Sequence, residues 1–167
     1  MVMIAEEAAA EDAHQPRGFR GRRSVARLAA VQALYQLELN PEMAAAAVVG
    51  EFVRHRLGEE IDGDRLAEAD AQFFAAIVEG AAAERDGLDA EIAAALVEDW
   101  PLPRLDAVLR AILRAGAFEL RQRRDVPPRV AIAEYTALAY AFFTGREPGL
   151  ANGVLDRLGR VLRANEM

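Results

Sequence analysis

The sequence contains no cysteine and no lysine, and aromatic residues make up only 7% of it. Without cysteine there is no disulfide framework and no thiolate metal site, which excludes small disulfide-stapled domains. Because apolar residues reach 53% while aromatics are scarce, the core has to be built mainly from Ala, Leu, Val and Ile. Ala and Leu are strong helix formers, so the composition favours an all-helical fold.

The sequence also lacks the segments that direct a chain to a membrane. No apolar run reaches the length of a membrane span. The first residues are acidic, with Glu6, Glu7, Glu11 and Asp12, which does not fit a signal peptide. A cytoplasmic protein is therefore expected.

Charge is unevenly distributed along the 167 residues, whose net charge is −7. Residues 1–27 hold five arginines and four acids, residues 28–103 hold four and 16, and residues 104–167 hold eleven and seven. The two ends are therefore basic and the middle is acidic. Such segregation marks the ends as candidate surfaces for a polyanion, with chance drift in composition as the alternative.

Periodicity and helix-breaking residues predict a disordered tail at residues 1–18 and one helical domain at residues 19–163. The stiff segment 99–103 (DWPLP) is expected to separate two packed helical bundles, at about 19–99 and 104–163. No strand pattern is present. The expected helices cover about 25–39, 42–57, 65–85, 88–98, 105–122, 130–143 and 150–163, with Ser24 and Asp64 as candidate N-caps.

Two expectations concern burial. In the first helix, spacing of three and four places Val25, Leu28, Gln32, Tyr35 and Leu39 on the inward face, which Val31 and Leu34 widen. The helix at 130–143 is apolar nearly all round, with Glu134 its only charge, so it is expected to be the central one.

An enzymatic function is not indicated. Neither His14 nor His55 has a nucleophile at useful spacing, and no glycine-rich loop has the spacing of a phosphate cradle. Asp62 and Asp64 are spaced like part of a calcium loop, but the ligands that should follow are missing. No metal or cofactor is therefore expected.

A binding function is better supported, beginning with residues 17–27, here called the basic arm. This arm carries Arg17, Arg20, Arg22, Arg23 and Arg27, and flexible basic arms neutralise phosphates. Tyr35 follows on the same helix, either as a stacking surface or as a core residue with its hydroxyl at the surface. Flexible arginines with a stacking ring favour single-stranded RNA over duplex DNA. On the fifth helix, Arg110 and Arg114 share a face and are candidate contacts for a protein partner.

Four stretches carry a resemblance to a known family: RSVARLAAVQALYQLEL (23–39), LRAILRAGAFEL (109–120), DVPPRVAIAEYTALA (125–139) and ANGVLDRL (151–158). In this combination and order the chain resembles the NusB family of transcription antitermination factors. The resemblance implies an all-helical fold of two bundles and binding to the boxA element of ribosomal RNA leader transcripts. It also implies a heterodimer with the ribosomal protein NusE, which joins NusA, NusG and RNA polymerase. It implies neither catalysis nor a cofactor.

The resemblance further implies which residues contact RNA. These are the arm residues and Tyr35, together with the start of the last helix, where Leu150, Asn152 and Arg157 are the candidates. For Asn152 a structural role, capping or bonding in the first turn of that helix, is favoured over RNA contact. The chain departs from the family at Gly149 and Leu150, where a cation and an aromatic ring are common, which lowers the expected RNA affinity. A protein-interaction module with weak RNA binding is therefore the alternative, and a homodimer also stays open. The RNA candidates as a set are Arg20, Arg22, Arg23, Arg27, Tyr35, Leu150, Asn152 and Arg157.

Overall fold

The structure is a computed structural model, and the residues it describes are 21–55, 57, 60–61, 64–65, 70–97 and 99–167. The expected tail at 1–18 and the candidate Arg20 lie outside these residues. The described chain is almost entirely helical, which confirms the all-helical expectation. Its α-helices are α1 Arg22–Leu39, α2 Ala45–His55, α3 Ala71–Ala83, α4 Arg85–Ala95, α5 Ala107–Gln122, α6 Pro128–Phe142 and α7 Glu147–Leu162.

Short elements lie between these helices and after the last of them. Two 3-10 helices cover Leu102–Arg104 and Ala164–Glu166. A two-residue antiparallel ladder pairs β1 (Glu60–Ile61) with β2 (Asp64–Arg65), with Glu60 opposite Arg65. The sequence pattern did not predict this ladder, although Asp62-Gly63 is a dipeptide typical of tight hairpins.

The chain divides into two compact units, Met1–Glu79 and Gly80–Met167, with the boundary inside α3. In the first unit α1 packs against α2, and the rings of Phe52 and Phe74 stack with their centroids 5.5 Å apart. In the second unit α6 and α7 make the most extensive helix pair. The bundle limits expected at residues 99 and 104 stay predictions.

Helix starts follow capping chemistry, although not always at the expected residue. Gly21, in an extended conformation, occupies the N-cap position of α1, whereas Ser24 is buried within the helix. Asp70 caps α3, because its Oδ1 accepts a hydrogen bond from the Phe73 amide at 3.0 Å. Asp64 therefore does not cap the third helix and lies in β2 instead. Asp106 caps α5 through the Val108 amide at 2.8 Å.

The most deeply buried helix of the second unit is α5, so the expectation that residues 130–143 form the central helix is wrong. Every residue from Ala111 to Leu120 is buried. Gly116 allows this, since a Cβ there would lie 2.8 Å from Leu155 Cδ2 and 3.3 Å from Tyr135 Cδ2. Small residues thus bring neighbouring helices close to α5, whereas α6 leaves Tyr140 68% exposed.

The buried face of α1 matches the expected one only in part. Val31 and Leu34 are buried as expected, but Val25, Leu28, Gln32 and Tyr35 are half-buried and Leu39 is exposed. Alanine has no bulk beyond Cβ, so a helix can be packed closely along an alanine stripe. The apolar residues of α1 that are buried are Ala26, Ala29, Ala30, Val31, Ala33 and Leu34.

The C-terminus is fastened to the connection between α5 and α6. The buried guanidinium of Arg163 donates hydrogen bonds to the Val126 carbonyl at 2.8 Å and to the Arg124 carbonyl at 3.3 Å. It also donates to both carboxylate oxygens of Glu166. The bond from Arg163 lowers the pKa of Glu166, and the same bond raises the pKa of Arg163.

Candidate nucleic-acid interface

A small group of contacts in the first unit holds the arginines at the start of α1 in place. The backbone amide of Asp70 donates to the carbonyl of Arg22 at 3.1 Å, which ties the start of α3 to the start of α1. The Asp70 carboxylate, besides capping α3, pairs with Nε of Arg23 at 3.7 Å. One residue therefore fixes both helix starts and one arm cation.

Phe73, in the first turn of α3, completes this group of contacts with its ring. The guanidinium carbon of Arg23 lies 4.5 Å from the ring centroid, and that of Arg27 lies 5.0 Å from it. A guanidinium at this distance from an aromatic face is attracted by the ring quadrupole. The ring therefore helps to hold both cations in place. We call Arg23, Arg27, Asp70 and Phe73 the aromatic brace.

The structure shows that the arm arginines differ in how much of their surface is exposed. This difference could not be read from the sequence. Arg22 is exposed at the first position of α1. The Arg23 side chain keeps 42% of its surface exposed. Arg27 is only 3% exposed, so its charge lies under other groups and little of it is available to a ligand. Within the described residues, Arg22 and Arg23 are therefore the arm cations best placed to meet a phosphate.

Tyr35 lies about three turns further along α1 and is half-buried. This placement agrees with neither reading fully, because the residue is neither in the core nor fully exposed. The neighbouring Leu34 is buried. Tyr35 thus has enough exposed surface to contact a ligand at one side while it contributes to packing at the other.

The second group of candidates lies at the start of α7, in the second unit. Leu150 is half-buried, and Asn152 and Arg157 are exposed. Asn152 Oδ1 lies 3.4 Å from the hydroxyl of Thr136 on α6, which donates to it. Arg157 donates from Nη1 to the Ala95 carbonyl at the end of α4, at 2.7 Å. A cation there also suits the negative end of that helix.

The two α5 arginines that are candidate contacts for a protein partner both form hydrogen bonds within the second unit. Arg114 is 6% exposed and donates to both carboxylate oxygens of Asp89, at 2.7 and 3.0 Å. Arg110 is half-buried and donates to the Leu105 and Pro103 carbonyls. These geometries favour a structural role for Arg114, which holds α5 on α4.

Asp70 and Phe73 were missed by the sequence reasoning. The signal for Asp70 is an aspartate just before an apolar helical segment, in the order Asp70-Ala71-Gln72-Phe73. No local signal marks Phe73, because its role depends on two arginines more than 40 residues earlier.

Among the described residues, no group of His, Asp and Glu side chains could hold a metal ion. In the same residues no helix is long and apolar enough to cross a membrane.

Within the described residues the protein is almost entirely helical and has two compact units, the first of which has an exposed arginine at the start of α1. A model of the NusB family matches residues 24–160. The chain belongs to the NusB family, as its sequence motifs predicted.

Curated relatives agree with this assignment. Transcription antitermination protein NusB of Brucella anthropi is 54% identical over 142 residues, which cover 85% of this chain and 84% of that protein. The protein of the same name from Rhizobium rhizogenes is 48% identical over 153 residues, covering 92% of this chain and 95% of the relative.

Solved structures share the fold. NusB of T. maritima superposes with a TM-score of 0.71 at 25% identity, covering 88% of this chain and 97% of that one. A chain from a complex of the antitermination factors NusB and NusE with double-stranded RNA has a TM-score of 0.67 at 21% identity and covers 84% of this chain and 97% of that one. At that identity the second likeness concerns the fold alone.

Proposed function

We propose that the protein is a transcription antitermination factor that binds boxA-type single-stranded RNA of ribosomal RNA leaders together with NusE. The observation that carries the proposal is the start of α1. There Arg22 is exposed, and Arg23 contacts the Phe73 ring and Asp70 while 42% of its side-chain surface stays exposed. Membership of the NusB family supports the same function.

The chemistry of the brace suits phosphate. A guanidinium carries five N–H donors in one plane, an arrangement that matches the oxygens of a phosphate. Each phosphate neutralised on a single strand adds about −0.7 to the slope of log affinity against log salt. Affinity should therefore fall steeply with salt. Arg20, ahead of α1, is proposed to add to this contact.

Base contacts are proposed for Tyr35 in the first unit and for Leu150, Asn152 and Arg157 in the second. The exposed amide of Asn152 supplies donor and acceptor atoms for a base edge. Because Arg157 already donates to the Ala95 carbonyl, its contribution is chiefly electrostatic.

The protein partners are proposed on family grounds. NusB with NusE is named in a complex of similar fold, and we propose that this chain forms the same pair. The pair would then act in the cytoplasm with NusA, NusG and RNA polymerase. Of the two α5 arginines considered for this contact, only Arg110 keeps side-chain surface that another protein can reach.

A second candidate function is a protein-interaction module of the same fold with weak RNA binding. This function is favoured because several arginines of the second unit form ion pairs within that unit. Arg114, Arg160 and Arg163 all pair with carboxylates of the same unit. Gly149 also offers no side chain to a ligand at the start of α7.

Competition binding separates the two functions. The protein is titrated, with and without NusE, against boxA RNA, a scrambled RNA of the same composition and a duplex RNA, over a salt series. We expect preference for the single-stranded boxA sequence, strengthened by NusE. Equal affinity for boxA and scrambled RNA even with NusE present would instead support the protein-interaction module.

A further inference from the structure

The starting observation is the exposure of Tyr140 near the end of α6. The large apolar side chains that stay exposed within the described residues are Leu39, Val53, Val97, Val130, Tyr140 and Val161. Tyr140 is the one aromatic side chain in this set, at 68% exposure. A tyrosine ring can be buried with its hydroxyl at the surface, so an almost fully exposed ring contributes little to the stability of its own fold.

Tyr140 lies beside polar groups of the neighbouring helix. It follows Thr136 by one turn, and residues four apart share a helix face. The Thr136 hydroxyl donates to Oδ1 of Asn152 on α7, with 3.4 Å between the oxygens. Because only residues 143–146 connect α6 to α7, the two helices run antiparallel. One turn from Thr136 towards Tyr140 therefore corresponds to one turn from Asn152 towards Gly149.

The surface at Gly149 is open. A Cβ built there would meet no atom within 4 Å. Gly149, Asn152 and Gly153 are spaced by three and four residues, so they lie on one side of α7. The Asn152 amide is exposed on that side, and it keeps its Nδ2 donor while Oδ1 accepts from Thr136. An exposed ring, open backbone and an amide thus occur at one end of one helix pair.

One exposed arginine lies near this end, next in sequence to a half-buried glutamate. Arg146, just before α7, is exposed, and its guanidinium carbon lies 5.4 Å from the Trp100 ring centroid. Glu147, the acid in the first turn of α7, folds back over Gly145, where its Oε2 lies 2.8 Å from the position of a Cβ. Further along α7, Asp156 is paired with Arg160 at 2.9 Å.

From this arrangement we propose that Tyr140 is a stacking platform for one unpaired base of the bound RNA, with Asn152 hydrogen-bonding the edge of that or the adjacent base. The inference rests on the proposed RNA binding and adds a base-binding position on α6. Single-stranded RNA is recognised by bases that stack on aromatic rings and bond through their edges.

A protein partner fits this surface less well. The exposed neighbours of Tyr140 on α6 include Ala133 and Ala141, which offer little apolar area. The next large exposed apolar residue on the helix, Val130, lies ten positions away, about 15 Å along the axis. Protein hot spots are surrounded by contacts that exclude water, which a lone ring among alanines does not supply. A base needs only a ring and a hydrogen bond.

The test compares Tyr140→Ala with Tyr140→Phe, using Val130→Ala as a matched control on the same helix. The boxA RNA carries 2-aminopurine at one position at a time, and its fluorescence reports stacking. Since one stacked base is worth about 1–3 kcal/mol, Tyr140→Ala should weaken binding roughly fivefold to a hundredfold. The loss should appear with and without NusE, and one position should lose its quenching. Tyr140→Phe and Val130→Ala should bind like the wild type.

The outcomes separate this inference from the proposed function. If the wild type shows no preference for boxA RNA, the proposed function fails and this inference fails with it. If the wild type binds boxA and Tyr140→Ala binds equally well, only the stacking role is overturned. A Tyr140→Phe variant as weak as Tyr140→Ala would also overturn stacking, because the ring is kept. Altered self-association or NusE binding with unchanged RNA affinity would make Tyr140 a protein contact instead.

Discussion

The arginines of α1 and those of α5 carry the same charge in different surroundings. In α1, Arg22 is exposed and Arg23 lies on the Phe73 ring with 42% of its side chain accessible. In α5, Arg114 is buried and holds both oxygens of Asp89. The comparison shows that counting arginines overstates the basic surface of the second unit. A guanidinium that is buried and held by a carboxylate, as in Arg114, adds little to the field that a phosphate meets.

The largest expected effect is on stability, from Arg114→Ala. The variant removes the bidentate partner of the half-buried Asp89, which keeps a longer contact of 3.8 Å with Arg85, so we expect a cost of about 2–3 kcal/mol. Urea unfolding measures the loss. Arg121→Ala is the matched control on the same helix, because its pair with Glu91 at 3.2 Å is more exposed and should contribute less than about 1 kcal/mol. Equal losses for the two variants would contradict the structural role of Arg114.

A smaller effect is expected within α1 itself, from Arg27→Ala compared with Arg22→Ala. Arg27 is 3% exposed and lies over Phe73, so its loss removes both buried packing and a cation–π contact. We expect a cost of about 2 kcal/mol in the free energy of unfolding. Arg22 is exposed, and replacing it should leave unfolding almost unchanged. An unfolding curve for Arg27→Ala that matches the wild type would show that the aromatic brace does not stabilise the first unit.

The smallest expected effect concerns pH and the C-terminal contact. The pKa of Glu166 is lowered by Arg163, so this contact stabilises the fold above the ordinary glutamate pKa of about 4.3. The contribution is lost as pH falls through the lowered value. Glu166→Gln should therefore lower the melting temperature slightly at pH 7 and leave it unchanged at pH 2. Glu42→Gln, an exposed glutamate, is the control. A difference at pH 2 as large as at pH 7 would contradict the linkage.

The order and approximate limits of the helices could be read from the sequence, because helix-breaking residues act locally. The caps could not: Asp106 and Pro128 begin α5 and α6, whereas the expected caps Ser24 and Asp64 were wrong. Burial was harder to predict, because it depends on how closely helices approach. Hydropathy ranks the 130–143 helix highest, yet α5 is the more deeply buried, since Gly116 admits Leu155 and Tyr135.

The candidate interface was predictable in kind but not in detail. The arm pattern identified the arginines, and the NusB motifs identified the family. The ranking of Arg22, Arg23 and Arg27 depends on Phe73, which is distant in sequence, so no local pattern contains it. Likewise, the pairing of Arg114 with Asp89 joins two helices and cannot be read from either one alone.

The most direct test of the account is the salt dependence of boxA RNA binding by the wild type, Arg22→Ala and Arg160→Ala, each in the presence of NusE. Arg160→Ala is the control, because Arg160 is an exposed arginine of the second unit that pairs with Asp156 at 2.9 Å. The account predicts that Arg22→Ala reduces the magnitude of the slope by about 0.7, the value for one phosphate contact, while Arg160→Ala leaves it unchanged. An unchanged slope for Arg22→Ala, or an equal reduction for both variants, would contradict the claim that the start of α1 binds the RNA backbone.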